Sequence, residues 1–332
     1  MKFKNVIITK RGGPEVLQVV ENELVSPKNK EVLIKVLACA VGRTDVAMRY
    51  GYYPYAPKIP FVPGYEIVGI IEAVGTNVNQ FNVGDRVAAL TVHGGYSEYI
   101  YLEPQHLVKV PENVKAEEAA VLVLNYVTAY QMLKRVANVQ KGNKILITGA
   151  SGGVGTALLD LAQLEDLTVY ALSSKYKHET LIQMGAFPID YTANDWVSFI
   201  KNKEPEGLDY VFDGVGKSYI NKGFGLLKKG GKLVEFGYPN FLGMLSGVFR
   251  IMFLNFYPNG KNAESYGISE IYKKDNSTIL YDLQKLLTLL SEKKINPIIS
   301  IRMPILEASE ANKLLESGSV SGNIVLLASE LL

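Results

Sequence analysis

The chain has 332 residues, of which 48% are apolar, and this excludes a disordered chain and favours about two or three domains. The 35 Lys and Arg nearly balance the 33 Asp and Glu, which argues against a surface built for nucleic acid. Cys39 is the only cysteine, which excludes an internal disulfide and a multi-cysteine metal cluster. The first residues contain no signal-like apolar run, and we expect a soluble cytoplasmic protein.

The first third of the chain is predicted to form strands joined by turns. Val32–Ala38 and Glu66–Gly75 are rich in β-branched residues and are flanked by proline, glycine and asparagine. Three shorter strand patterns follow before residue 112. Residues 116–139 then carry apolar side chains at helical spacing, and Glu117 and Glu118 suit the first turn of a helix.

From Lys144 onward, short apolar runs alternate with helical stretches. Strands are predicted at 144–150, 168–174, 208–214 and 231–237. This alternation predicts an α/β region with a parallel sheet covered by helices on both faces. A helix over Thr278–Lys294, a strand over Pro297–Pro304, a further helix and a strand at 323–328 complete the chain.

The segment Phe241–Tyr257 is largely apolar, with Arg250 near its centre. A membrane-spanning helix needs about 20 apolar residues, and a central cation is costly there. A helix packed over a pocket or a subunit contact is the favoured interpretation. Association with a membrane surface is the alternative.

A small-residue loop between strand and helix is the most specific local motif. It follows a strand that ends at Thr148 and precedes a helix that begins near Val154. Such a loop lets a pyrophosphate approach the backbone and the helix N-terminus. The alternative is an ordinary tight turn between strand and helix. Small residues occupy the G-x-G-x-x-G positions, with alanine in place of the first glycine, and the candidate contacts are Ala150, Gly152, Gly153, Val154 and Gly155.

The end of the next strand distinguishes NADPH from NADH. An NAD site usually has a carboxylate about 20 residues after the glycine motif, but here Ser173, Ser174 and Lys177 precede the first carboxylate, Glu179. Hydroxyl and ammonium groups suit a 2′-phosphate. The sequence therefore favours NADPH, although each lysine alone is commonly a solvated surface charge.

Nine motifs along the chain carry a family resemblance. They are GGPEVL (12–17), VPGYEIVGIIEAVG (62–75), VGDRVAAL (83–90), GGYSEY (94–99), LNYVTAYQML (124–133), GASGGVG (149–155), FDGVG (212–216), KKGGKLVEFG (228–237) and LLESGSVSGNIVL (314–326). In these the chain resembles the medium-chain dehydrogenase/reductase superfamily, and within it the zinc-independent quinone oxidoreductases, near zeta-crystallin and the vesicle amine transport protein homologues.

The resemblance implies a Rossmann doubly wound parallel sheet inserted into a GroES-like β-barrel catalytic domain. The implied boundaries are 1–122 for the GroES-like domain, 123–266 for the Rossmann domain, and 267–332 for a C-terminal segment that completes the catalytic domain. It also implies a homodimer. Zeta-crystallin also suggests RNA binding, but this sequence has no basic patch that would support it.

Three positions depart from the zinc-dependent members of the superfamily. Motif by motif, Gly42 and Tyr65 stand where a cysteine and a histidine bind zinc, and Asn125 falls near the later cysteine. We therefore expect no metal. The histidines at 93, 106 and 178 show no metal-like spacing; His93 is a candidate pocket residue, His106 a structural loop residue and His178 a candidate contact of the cofactor phosphate.

Without a Lewis acid, hydride transfer suits an acceptor that is already electron-poor. We expect an NADPH-dependent reductase of a quinone or an α,β-unsaturated carbonyl compound. Tyr52, Tyr53 and Tyr65 are the candidate catalytic side chains, and aromatic packing is the alternative for each. Asp45 and Arg49 are expected to pair and hold their loop.

The remaining cofactor contacts follow from the resemblance. Thr128 matches a threonine beside the nicotinamide, and Lys177 and Tyr191 match residues that hold the 2′-phosphate. Positions at strand ends and in the last motif add five further cofactor contacts, Gly214, Val215, Gly237, Tyr238 and Asn323.

The alternative function is that of a non-catalytic NADPH-binding protein associated with a membrane or lipid.

Overall fold

The protein is described from a computed structural model, which covers residues 2–193, 195–238, 240–256 and 258–332. Its chain divides into two compact units. The first unit comprises the residues up to Val127 together with Ser269–Leu332, and the second unit is Thr128–Ile268.

The strands and helices are numbered in chain order. The strands are β1 (Lys2–Ile8), β2 (Leu17–Glu23), β3 (Val32–Ala40), β4 (Glu66–Val74), β5 (Arg86–Leu90), β6 (Tyr99–Leu102), β7 (Val108–Lys109), β8 (Lys144–Thr148), β9 (Thr168–Ser173), β10 (Phe187–Asp190), β11 (Leu208–Asp213), β12 (Leu227–Glu235), β13 (Asn262–Ser265), β14 (Ile299–Pro304) and β15 (Asn323–Leu327). The helices are α1 (Arg43–Tyr50), α2 (Ala116–Val121), α3 (Val127–Gln131), α4 (Gly153–Leu164), α5 (His178–Gln183), α6 (Trp196–Lys203), α7 (Ser218–Gly225), α8 (Phe241–Phe256), α9 (Ile268–Lys274), α10 (Ser277–Ser291) and α11 (Ala308–Ser317).

The first unit is built on a sheet with the order β14-β15-β3-β4-β5-β7, in which β6 also pairs with β3. β14 runs parallel to β15, whereas β3 is antiparallel to β4, β6 and β15. The predicted strands at Val32–Ala38 and Glu66–Gly75 are confirmed as β3 and β4. Almost every residue of β3 is buried, because the strand lies in the middle of this sheet.

The second unit contains a six-stranded parallel sheet with the order β10-β9-β8-β11-β12-β13. Counted from β8, this is the order 3-2-1-4-5-6 of a doubly wound Rossmann fold. The predicted fold class is thereby confirmed. In such a sheet the connections reverse direction between the first and fourth strands, here β8 and β11, and ligands bind at the carboxyl ends beside that point.

The strand register of this sheet brings polar side chains to one edge. Thr148 pairs with Asp213, Asp213 with Glu235, and Glu235 with Ser265. On the other side of β8, Ser173 ends β9. Because parallel strands share the same carboxyl edge, these residues form a polar row at the end of an otherwise apolar sheet.

The apolar segment predicted to be helical forms α8, and Tyr257, its last residue, lies outside the described residues. Gly243, Gly247 and Ile251 are buried, so one side of α8 packs on its own unit. Much of the opposite side is exposed, with Leu242, Phe249 and Phe256 between 68% and 79% accessible. Within the described parts of the chain, no helix is both long and apolar enough to cross a membrane.

Candidate functional site

The loop between β8 and α4 has the geometry of a phosphate-binding turn. Gly149 has φ +67, and a Cβ on Gly155 would lie 2.5 Å from the carbonyl oxygens of Gly149 and Ala150. Gly155 therefore lets the first turn of α4 press against the loop. Gly152 is the N-cap, and Gly153 and Val154 form the first turn, whose N–H groups have no partner within a helix. This cradle fits a pyrophosphate group.

The residues predicted to hold a 2′-phosphate lie together at the ends of β9 and β10. The Ser174 hydroxyl lies 3.3 Å from the Tyr191 hydroxyl, and the Tyr191 N–H donates to the Ser173 carbonyl oxygen. Lys177 follows in a tight turn after Ser174. The buried Nε2 atom of His178 has no hydrogen-bond partner among the described residues. The unpartnered imidazole nitrogen of His178, the ammonium group of Lys177 and the two hydroxyls are groups that suit an anion.

At the ends of β11 and β12 the backbone is tightly packed. A Cβ on Gly237 would lie 2.5 Å from the Gly214 carbonyl oxygen. The Asp213 carboxylate accepts hydrogen bonds from the N–H groups of Val215 and Gly216, each at 3.1 Å, and from the Thr148 hydroxyl. Asp213 therefore fixes the loop that contains Gly214 and Val215, which are partly exposed at the carboxyl edge of the sheet.

Glu235 is a buried carboxyl group beside that loop. Its Oε2 atom accepts a hydrogen bond from Ser265 at 3.2 Å, Tyr238 bonds the same carboxyl, and its buried Oε1 atom has no partner in the described part of the chain. Burial, together with the charge of Asp213, raises the pKa of Glu235 to about 8. Burial also raises the pKa of Tyr238 to about 12. At neutral pH the Glu235 carboxyl therefore carries a proton.

Thr128 and Asn323 were both predicted to contact the cofactor. Thr128 is buried, and its hydroxyl has no partner among the residues described. The Asn323 amide oxygen instead accepts a hydrogen bond from Asn125 at 2.7 Å, and its amide NH₂ donates to the Ile298 carbonyl oxygen at 2.8 Å. Thr128 thus offers a free hydroxyl to a ligand, whereas the side chain of Asn323 is held by the first unit.

Three hydroxyl groups meet in the first unit. The Tyr53 hydroxyl lies 2.6 Å from that of Tyr65, and both contact the Ser269 hydroxyl. Tyr65 and Ser269 are buried, and Tyr53 is partly exposed. Burial raises the pKa of both tyrosines, so their hydroxyls keep their protons. Tyr52 lies half-buried in the same loop.

The loop that carries Tyr53 is held by two charged side chains, but they do not pair with each other. Asp45 accepts hydrogen bonds from the N–H groups of Gly42 and Gly64, each at 2.9 Å. Arg49 forms an ion pair with Glu316 and donates to the Gly12 carbonyl oxygen. The predicted Asp45–Arg49 pair is therefore wrong, because each group finds a partner in another segment. Burial raises the pKa of Asp45 to about 6.

The positions that correspond to zinc ligands offer no suitable donor set. Gly42 has no side chain, the Tyr65 hydroxyl bonds Tyr53 and Ser269, and the Asn125 amide bonds Asn323. In the described ranges, no group of three or more His, Cys, Asp or Glu side chains is placed to hold a metal ion. These residues do not fit a catalytic zinc site.

Two family models match the chain, and they fall on different parts of it. Residues 28–112 match the alcohol dehydrogenase GroES-like domain, and residues 184–326 match the zinc-binding dehydrogenase domain. The quinone oxidoreductase of Pongo abelii is 35% identical over 231 residues, which is 68% of this chain and 70% of that protein. The chain belongs to the medium-chain dehydrogenase/reductase superfamily, in its quinone oxidoreductase group. It is therefore a member of an oxidoreductase family.

Further relatives of this superfamily differ in name and in the length they share. The synaptic vesicle membrane protein VAT-1 homolog of Danio rerio is 37% identical over 243 residues, 72% of this chain but only 50% of that protein. The chain thus matches half the length of that relative. The structure of a mycobacterial protein complexed with NADPH has 28% sequence identity and a TM-score of 0.86, over 98% of this chain and 99% of its own.

Sequence reasoning missed two polar residues of these sites. Ser269 lies 216 positions from Tyr53 along the chain, and no motif surrounds it. Glu235 could have been predicted from the sequence, because it is a carboxylate at the end of an apolar strand, at the sheet edge where ligands bind. The roles of Tyr52, Tyr53 and Tyr65, and those of the predicted cofactor contacts, remain predictions.

Proposed function

We propose that this protein is an NADPH-dependent reductase that transfers hydride to a quinone or an α,β-unsaturated carbonyl compound without a metal ion. The observation that carries the proposal is the hydroxyl cluster of Tyr53, Tyr65 and Ser269, in which Tyr65 stands at the sequence position of a zinc-binding histidine in the zinc-dependent members of the superfamily. Hydroxyl donors can polarise a carbonyl oxygen, but much less strongly than Zn²⁺ does. An electron-poor acceptor needs only this weaker help.

The cofactor proposal depends on the second unit. NADPH supplies the hydride when it is bound. The loop from Ala150 to Gly155 suits its pyrophosphate, and Ser174, Lys177 and Tyr191 suit its 2′-phosphate. The relative solved in complex with NADPH supports the same assignment. The unpartnered hydroxyl of Thr128 and the loop of Gly214 and Val215 are the proposed contacts at the reactive end.

The hydroxyl cluster is proposed to bind the acceptor oxygen. Tyr53 is its most accessible member, and we assign it the hydrogen bond to the carbonyl oxygen. As negative charge develops on that oxygen, a donor with a retained proton stabilises it. Tyr65 and Ser269 orient the Tyr53 hydroxyl through their hydrogen bonds, and solvent supplies the proton that completes the reduction. Tyr52 is proposed to pack against the flat acceptor.

Oxidation of the reduced cofactor in the presence of an acceptor panel tests this function. We expect turnover with NADPH and naphthoquinone or an enone, at least tenfold faster than with NADH at equal subsaturating concentration. Simple ketones should not be reduced. No oxidation of NADPH with any quinone or enone would refute the proposed reaction, and equal use of NADH would refute the cofactor assignment.

A second candidate function arises from α8, whose exposed side carries Leu242, Phe249 and Phe256. Exposed apolar side chains on one helix are typical of contacts with a membrane or a second protein. This favours a non-catalytic NADPH-binding protein associated with lipid. Flotation with liposomes in the absence of quinone turnover would support this candidate over the reductase.

The expected cytoplasmic location and homodimer are part of the proposal. Light scattering on the eluting peak of a size-exclusion column measures the mass, and twice the chain mass of 36.6 kDa is expected. A peak at the mass of one chain over the whole concentration range would contradict the dimer.

A further inference from the structure

A lysine lies beside the hydroxyl cluster of the first unit. The Nζ atom of Lys273 is 4.0 Å from the centroid of the Tyr55 ring. That ring meets the Tyr53 ring edge to face, with centroids 6.0 Å apart. The aromatic side chains therefore connect the ammonium group to the Tyr53 hydroxyl, which we assign to the acceptor oxygen.

Helix α9 fixes the spacing between this ammonium group and the hydroxyls. Ser269 and Lys273 are four residues apart on α9, so they lie on one face of the helix, about 6 Å apart along its axis. Ser269 contacts the hydroxyls of Tyr53 and Tyr65, and Lys273 projects beside the same loop one turn later.

The charge of Lys273 contacts the Tyr55 ring but is not neutralised by a carboxylate among the described residues. Lys273 is exposed, and in the parts of the chain that the structure describes it forms no ion pair. Glu270, on the same helix, is not paired with it. A cation held on an aromatic ring has lost part of its mobility, and an incoming anion gains from this preorganisation.

A second exposed cation lies at the start of α1, the helix that precedes this loop. Arg43 is exposed at the start of α1 and forms no ion pair with any residue described. Its charge acts on the Tyr52 hydroxyl, opposing the increase in the pKa of Tyr52 that burial causes. Two exposed cations therefore act on tyrosines of this loop, Arg43 on the Tyr52 hydroxyl and Lys273 on the Tyr55 ring, while the charge of Glu316 acts on Tyr52 in the opposite sense.

We propose that the acceptor carries an anionic group, a carboxylate or a sulfonate, which binds Lys273 while its carbonyl oxygen binds the Tyr53 hydroxyl. This inference rests on the proposed function and adds the substrate class. Because Lys273 follows Ser269 by about one helical turn on α9, a substituted quinone or a short enone acid is the size of acceptor we expect to reach both groups. Arg43 adds long-range attraction, which speeds capture of a negatively charged acceptor.

A matched pair of acceptors tests this proposal: naphthoquinone, which is neutral, and naphthoquinone sulfonate. The variant Lys273→Met keeps the aliphatic stem on Tyr55 and removes the charge, and Lys274→Met removes the neighbouring exposed charge as a control. Because the two quinones differ in intrinsic reactivity, the readout is the ratio of their kcat/KM values in each protein.

We expect Lys273→Met to lower kcat/KM for the sulfonate about tenfold, mainly through KM, and to change the value for naphthoquinone less than twofold. The difference should shrink in high salt, because exposed charges are screened. Lys274→Met should leave the ratio unchanged. Equal ratios in wild type and Lys273→Met, or an equal effect of Lys274→Met, would overturn the assignment of the anion site.

Failure of the proposed reaction can be distinguished from failure of the anion site. If wild type reduces naphthoquinone but Lys273→Met leaves the ratio of the two kcat/KM values unchanged, the proposed reductase activity is supported and the anion site is refuted. If neither quinone is reduced, calorimetric titration of the protein with naphthoquinone sulfonate still tests the anion site independently of turnover. Binding that Lys273→Met weakens about tenfold would support the site, and absent or unchanged binding would refute it.

Discussion

The hydroxyls of Tyr53 and Tyr65 lie 2.6 Å apart, although Tyr53 follows helix α1 and Tyr65 precedes strand β4. Asp45 holds these two segments in place, because its carboxylate accepts hydrogen bonds from the N–H of Gly42 at the start of α1 and from the N–H of Gly64 next to Tyr65. One buried carboxyl group thus joins the two segments that carry the hydroxyls. The resulting cluster is the basis of the proposed acceptor site.

Tyr53→Phe tests the role of the hydroxyl in this cluster. Loss of a hydrogen bond to a developing negative charge costs about 1.5–3 kcal/mol, so kcat should fall about 10–100-fold while NADPH affinity stays constant. Steady-state turnover and a separate cofactor titration measure the two quantities. Tyr50→Phe is the control, because Tyr50 is an exposed tyrosine at the end of α1. Unchanged kcat in Tyr53→Phe would remove Tyr53 from the reaction.

Lys177→Met tests the preference for the 2′-phosphate. A charge-assisted hydrogen bond contributes about 1.5–3 kcal/mol, so the Kd for NADPH should rise about 10–100-fold and the Kd for NADH should change little. Quenching of protein fluorescence on titration measures both. Lys203→Met, an exposed lysine at the end of α6, should leave both values unchanged. A similar loss for NADPH and NADH would contradict the phosphate contact.

Gly155→Ala tests the close approach of α4 to its loop. The added Cβ would lie 2.5 Å from two carbonyl oxygens, so the loop must move. Overpacking of this kind lowers the free energy of unfolding by about 1–3 kcal/mol. We expect the affinity for NADPH to decrease as well, because the displaced loop is the proposed pyrophosphate site. Gly225→Ala, where the new Cβ has nothing within 4 Å, is the control and should not destabilise the protein. Unaltered stability and NADPH affinity in Gly155→Ala would show that the loop is not tightly packed.

Glu235→Gln tests the protonated carboxyl of β12. The pKa of Glu235 is about 8 in the folded chain, against an ordinary value of 4.5. Between these values the folded chain holds a proton that the unfolded chain has lost, so the free energy of unfolding falls as pH rises. Between about pH 6 and pH 8, the titration of Glu235 alone should lower the free energy of unfolding of wild type by about 2–3 kcal/mol.

The neutral Gln should abolish that part of the pH dependence. Urea unfolding of wild type and Glu235→Gln at both pH values gives the difference, in which all other titrating groups cancel. The variant should gain stability relative to wild type as pH rises. A constant difference between the two proteins would mean that Glu235 is ionised in the folded state at about pH 6.

Much of the fold was predictable because its local patterns are strong. The strand–loop–helix motif at Thr148–Gly155 and the apolar runs of β8, β9, β11 and β12 predicted a parallel sheet. The edge strands β10 and β13 were not predicted, because each is only four residues long and carries few β-branched side chains.

The candidate site was predictable only where a motif contained it. The cofactor loop and Ser173, Ser174 and Lys177 follow from spacing within one βαβ unit. The contact of Ser269 with Tyr65 joins residues 204 positions apart, which no local pattern encodes. The partners of Arg49 were also unpredictable, since Glu316 lies 267 positions away.

Turnover by metal-depleted protein shows whether hydride transfer proceeds without a metal ion. The protein is dialysed against EDTA, its metal content is checked by atomic emission, and oxidation of NADPH with naphthoquinone is followed. We expect the same kcat and KM as for untreated protein, with no gain when Zn²⁺ is added back. Activity that disappears with the metal and returns with Zn²⁺ would contradict this expectation.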